Sequence, residues 1–93
     1  MNKFVIERQI PGVGKMSMAD IRTVARKSVN VLAGLGVEIQ WVESYITGDK
    51  IYCVYLASSE DIIREHGRLS GIPVNSVEQV ARVIDPTVAE STA

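Results

Sequence analysis

One cysteine, one histidine, one tryptophan and one phenylalanine are spread over 93 residues, and each scarcity removes a class of protein. A single Cys cannot close an internal disulfide and fits a reducing compartment. A single His leaves any metal site dependent on carboxylates or on a second subunit, because such sites take several protein ligands. An excess of either charge is also missing: ten Lys and Arg stand against eleven Asp and Glu, for a net charge of −1. With no basic run, nucleic acid and anionic membrane are excluded as partners on charge grounds. No apolar run is long enough to span a bilayer. The opening MNKFVIERQIPG has charges inside its apolar run and no small-residue cleavage site, so it does not read as a signal peptide. The expected location is cytoplasmic. A phosphate loop is missing too. PGVGKMS, Pro11 to Ser17, has the Gly, the Lys and a following helix, but not the spacing of a P-loop. It reads as a turn feeding a helix.

What is present is the balance of a globular domain, 46% hydrophobic and 23% charged. The length predicts one domain over residues 1–87, with a flexible tail over 88–93, near the lower size at which a core stabilises itself unaided.

The most informative stretch is EIQWVESYITGDKIYCVYLA, Glu38 to Ala57. β-Branched and aromatic residues flank Gly48-Asp49, which predicts a hairpin with a two-residue type II′ turn. That register sets Thr47 opposite Lys50, Ile46 opposite Ile51, Tyr45 opposite Tyr52, Ser44 opposite Cys53 and Glu43 opposite Val54. Continued without a break, it sets Val42 opposite Tyr55 and Trp41 opposite Leu56. Alternation then makes two surfaces. Val42, Ser44, Ile46, Ile51, Cys53, Tyr55 and Ala57 form a small, apolar face suited to helices. Trp41, Glu43, Tyr45, Lys50, Tyr52, Val54 and Leu56 form an aromatic and polar face, rich for a surface left in water.

Lys3 to Gln9 reads as a strand, with Phe4 and Ile6 on one face and Val5 and Glu7 on the other. A helix is predicted from a Ser17 cap, with Asp20 three residues on. Its apolar stripe runs through Ile21, Val24, Ala25, Ser28, Leu32 and Leu35, and Gly34 and Gly36 stop it. Ser58 and Asp61 repeat the cap signal for a shorter helix to about Leu69, with Ile62, His66 and Leu69 on one face. Val77 to Ile84 reads as a closing strand. The order β-α-β-β-α-β is the ferredoxin-like pattern, α+β with both helices on one face of an antiparallel sheet. The other face is left bare, which predicts a homodimer of α+β barrel type enclosing a cavity between two sheets.

On that bare face, Glu7, Trp41, Glu43, Tyr45 and Tyr52 are the candidate ligand-binding residues, since pockets combine apolar walls with few polar groups. A plain dimer interface is equally rich in aromatics. Glu7 or Glu43 set against aromatic rings could carry a raised pKa and transfer protons. The alternative is a rim carboxylate paired with Arg8, Lys50 or Arg82. For a metal, the available residues are His66 and Glu43. The alternative for His66 is a half-buried imidazole hydrogen-bonded to a carbonyl or carboxylate. Cys53, facing the helices, reads as a small hydrophobe.

The segments VIERQIPGVGKM, IQWVESYITGDKIYCVYLA, IIREHGRLSGIPVNSV and RVIDPT together resemble a small bacterial ferredoxin-like family of unknown function that is similar to a nickel-binding protein. The resemblance runs from Phe4 to Thr87. It implies a homodimeric α+β barrel with nickel as a reported ligand. Many members of that family carry His at the position of Glu43, so this chain offers a carboxylate, a harder ligand that suits nickel less well. Together these readings predict a small cytoplasmic homodimeric binding protein for a divalent metal such as nickel or for a small ligand. The alternatives are a small α+β-barrel enzyme using Glu7 or Glu43, and a dimer with no ligand.

Overall fold

Phe4 and Ile6 point to the same side of the first strand, and around them the core assembles. A computed structural model describes residues 1–90 of the chain. Its main elements are β1 (Asn2–Gln9), α1 (Met18–Leu35), β2 (Ile39–Ile46), β3 (Lys50–Ala57), α2 (Glu60–Ser70) and β4 (Ser76–Gln79). The four strands form one antiparallel sheet in the order β2-β3-β1-β4, with both helices packed on one side. This is the predicted α+β ferredoxin-like arrangement. Phe4, Ile6, Ile39, Cys53, Tyr55, Ala57 and Ile63 make the buried cluster between sheet and helices.

The caps of α1 follow the sequence. The Asp20 N–H donates to Ser17 Oγ at 3.1 Å, and Gly36 ends the helix at φ 85°, a conformation that favours glycine. For α2, Ser59 rather than Ser58 takes the cap position and makes no side-chain capping bond. Glu60 and Asp61 in the first turn complement the helix dipole instead. The buried stripe of α2 is Ile63, His66, Gly67 and Ser70, so Leu69 stands outside it.

The hairpin register holds from the turn to Glu43↔Val54, and then shifts. Val42 is an extra residue, a β-bulge, and beyond it Trp41 pairs with Tyr55, Gln40 with Leu56 and Ile39 with Ala57. Tyr55 and Ala57 are buried under the helices, so Trp41 shares their side and not the bare face predicted for it. The cause is the pattern itself. Ile-Gln-Trp alternates in-out-in, and Glu-Ser-Tyr-Ile alternates out-in-out-in. The two phases match only if one residue between them is left over. An unbroken ladder would expose Ile39 and bury Gln40.

The turn also differs from the type II′ prediction. Gly48 does not have a positive φ, and the turn closes with the Thr47 N–H on the Lys50 carbonyl at 2.9 Å. The glycine that matters there is Gly14. A Cβ on Gly14 would sit 2.6 Å from the Thr47 carbonyl oxygen, and its N–H donates to the Gly48 carbonyl at 3.0 Å. The Val13–Lys15 turn is thereby fastened to the hairpin tip.

The last strand is shorter than predicted. One further backbone bond, Val80 N–H to the Lys3 carbonyl at 2.8 Å, follows it, and residues 81–85 then run exposed. Val83 and Ile84 lie outside the ladder with β1, so their β-branched character forms no strand. Pro86–Glu90, which runs into the predicted tail, forms a short exposed 3-10 helix, and residues 91–93 lie outside the described residues.

Candidate functional site

The sheet separates the predicted site residues. On its bare face lie Glu7, Glu43, Tyr45 and Tyr52, with Glu7 directly opposite Tyr52 and Tyr45 opposite it on the other flank. Tyr45 is 56% exposed, and its hydroxyl donates to Glu43. That bond, and the negative charge beside it, raise the phenol's pKa. Glu7 accepts from Lys50 Nζ at 3.2 Å and from Gln9 Nε2 at 3.4 Å. The ammonium beside it, then the amide, hold the Glu7 carboxyl below its ordinary value. A raised pKa was the expectation for a proton-transferring Glu7. The geometry gives the ion pair instead.

His66 is on the other side of the sheet and fully buried. Its Nε2 is 3.0 Å from Ser28 Oγ, and its Nδ1 has no partner. Burial lowers its pKa, and the Arg8 charge lowers it further. It does not meet Glu43. Among the described residues no group of three or more His, Cys, Asp and Glu side chains could hold a metal ion.

Between α1 and the sheet is a cavity of about 390 Å³. Ile21, Val24 and Ala25 form one wall, and Ile46, Ile51 and Trp41 form the other. Trp41 thus lines a pocket, although beneath the helices. Its indole N–H donates to Ser44 Oγ at 2.8 Å.

The floor of this cavity was not foreseen. Arg8 lines it and is only 1% exposed. Its Nε–H reaches Cys53 Sγ at 3.3 Å, Nη1 reaches the carbonyls of Ile72 at 3.4 Å and Pro73 at 3.2 Å, and Nη2 reaches the Tyr55 hydroxyl at 3.3 Å. Every acceptor is neutral. Burial raises the Tyr55 pKa, while the Arg8 charge pulls it down. Tyr55 also stacks at a tilt on His66, with ring centroids 5.7 Å apart. Arg8, Cys53, Tyr55, Ser28 and His66 therefore form one polar group under an apolar roof. The signal for it was available: Phe4, Ile6 and Arg8 share one phase of the strand, and Ser28 falls in the apolar stripe of α1.

Among the described residues no helix is long and apolar enough to cross a membrane.

The fold and this arrangement define a ferredoxin-like α+β domain with a pocket under its helices. Residues 4–80 match the model of the family described as nickel responsive protein SCO4226-like, and the chain belongs to that family. The crystal structure of SCO4226 from Streptomyces coelicolor A3(2) is similar in fold, with a TM-score of 0.74 at 10% sequence identity, covering 88% of this chain and 99% of that one. No curated protein matches the chain in sequence.

Proposed function

We propose that the chain is a small cytoplasmic binding protein that holds an apolar organic ligand between α1 and the sheet. Two copies then associate through the bare sheet face. The observation that carries this is the 390 Å³ cavity with apolar walls and one convergent polar group. Ligand sites are built that way, and the volume falls in their usual range of about 300–1,000 Å³. The second part rests on Tyr45, Tyr52, Val54 and Leu56, an aromatic and aliphatic surface on the side without helices.

A neutral fluorescent probe such as 1-aminoanthracene tests the pocket. Saturable binding of one probe per chain is expected, abolished by Ile21→Trp, which fills the cavity. Unsaturable binding, or binding indifferent to that substitution, removes the reading.

Nickel is the second reading, supported by the description of the family. The residues of one chain do not fit the ion. The lone imidazole is buried with Nε2 on Ser28, and among the described residues no cluster of His, Cys, Asp or Glu completes a site with its free Nδ1. The lone thiol accepts from Arg8, and Glu7 is paired with Lys50. Metal binding would require donors from two copies, with Glu43, which accepts from the Tyr45 hydroxyl, as the bare-face carboxylate to contribute. Isothermal titration with nickel, on the wild type and on Glu43→Ala, decides it. Stoichiometric heat lost in the variant would restore the metal.

A further inference from the structure

The guanidinium of Arg8 is buried without an anion. Among the described residues no carboxylate stands within ion-pair distance of it, and no Asp or Glu lines the cavity above it. Burying a charge is costly unless it is paired. The contacts Arg8 does have compensate poorly. Four acceptors serve five N–H donors, all are neutral, and the three oxygens among them lie at 3.2–3.4 Å. Charge-assisted bonds are shorter, about 2.7–2.9 Å. The guanidinium therefore has both unspent charge and an unspent donor.

The surroundings say what would use them. The cavity is walled by aliphatic side chains and by the Trp41 indole, so the body of the ligand is apolar. Its floor supplies a planar cation with parallel donors, the geometry that matches a carboxylate in bidentate fashion. The Tyr55 hydroxyl, already on Nη2, adds a neutral donor beside it. A second cation is not in the lining, so one negative charge is what the site can neutralise. We infer that the cavity binds an apolar monocarboxylate, its carboxylate on Arg8 and its hydrocarbon body against Ile21, Val24, Ile46 and Trp41. The head group reaches Arg8 when the long bonds from Nη1 to the Ile72 and Pro73 carbonyls give way. Those carbonyls belong to the irregular connection between α2 and β4, which has less to hold it than a strand.

The inference rests on the binding-pocket reading above, and the test separates the two. Decanoate and 1-decanol have the same hydrocarbon body and differ in the charge. Binding of each is measured by quenching or shift of the Trp41 emission, below the concentrations at which either aggregates, on wild type and on Arg8→Met. Decanoate is expected to bind wild type at least ten-fold more tightly than the alcohol, since hydrogen bonds to charged groups are the strong ones. In Arg8→Met that preference is expected to vanish. Equal binding of both by wild type leaves the pocket standing and overturns the carboxylate. A preference that survives in Arg8→Met also overturns it, because another cation would be responsible. Saturable binding of neither compound removes the pocket as well. The wild-type comparison does not depend on how the variant folds.

Discussion

The Ser28 hydroxyl lies 3.0 Å from Nε2 of His66, joining α1 to α2 beneath the surface. The buried imidazole of that pair makes the fold sensitive to mild acid, because burial and then the Arg8 charge outweigh the bond to Ser28. Burial holds the imidazole pKa below its ordinary 6.5, so the unfolded chain takes up the proton more readily than the folded one. The contribution is fully present above that value and is lost as the pH falls through and below it. Urea unfolding at several pH values should show a midpoint that is level above pH 7 and declines between about pH 6.5 and 5. In His66→Gln that decline should flatten. Glu7, held low by Lys50, acts in the same direction but only below its ordinary 4.5.

Two glycines should respond oppositely to alanine. At Gly14 the added Cβ meets the Thr47 carbonyl oxygen at 2.6 Å and Gly48 Cα at 2.9 Å, both backbone atoms that cannot swing aside. A loss of about 1–3 kcal/mol is expected, as for other overpacked sites. Gly34 lies within α1 with nothing within 4 Å of a Cβ there. Gly34→Ala should stabilise by about 0.5–1 kcal/mol through helix propensity. Denaturant midpoints of the two variants read both signs.

Deleting Val42 should be less damaging than the loss of a residue from a paired strand usually is. The deletion makes Trp41 and Glu43 neighbours opposite Tyr55 and Val54, the partners they already have, so the two phases of β2 join into one ladder with Ile39 and Trp41 still on the helix side. Ile39, only 3% exposed, stays in the core, so the variant should not show the loss of about 1.5–3 kcal/mol that exposing it would bring. Substituting Val42→Thr keeps the count of residues and should cost well under 1 kcal/mol at so exposed a site. An unchanged near-ultraviolet circular dichroism spectrum, which reports Trp41 packing, and unfolding midpoints close to wild type are the expected readings for both variants.

A charge placed on the bare face should separate the proposed dimer. Val54 sits in the middle of that face, paired with Val5 on one side and Glu43 on the other. Val54→Lys should leave the far-ultraviolet spectrum unchanged and shift sedimentation toward the monomer. A wild type that sediments as a monomer at high concentration would dispose of the dimer without reference to the variant.

Much of this molecule is legible in its residues. Ser17 and Asp20 mark a helix start because their bond is local, and Phe4 and Ile6 mark an inward face because alternation is local. The five hairpin pairs nearest the turn follow from counting outward from Gly48-Asp49. Counting fails at Val42, because a bulge is set by which flanking phase must be buried, and that depends on the helices above. The same reason hid the floor of the pocket. Arg8 reads as a surface charge by type and as a core residue by phase, and only the fold shows that phase wins. The structure departs from the Gly48 expectation because a two-residue turn can close without a positive φ when the Thr47 hydroxyl oxygen accepts from the Lys50 N–H. Val77 to Ile84 was read too long because β propensity lies in the residues, while a ladder requires a neighbour to pair with.

The extra residue in β2 has one more consequence, which concerns disorderly assembly. β2 is a border of the sheet, and a straight border of eight residues would be an open template for a stray chain. The kink interrupts that row of free amides and carbonyls halfway, and the opposite border is only four residues long. Neither rim therefore offers a long track for fibre growth, and contacts between copies are steered toward the flat of the sheet.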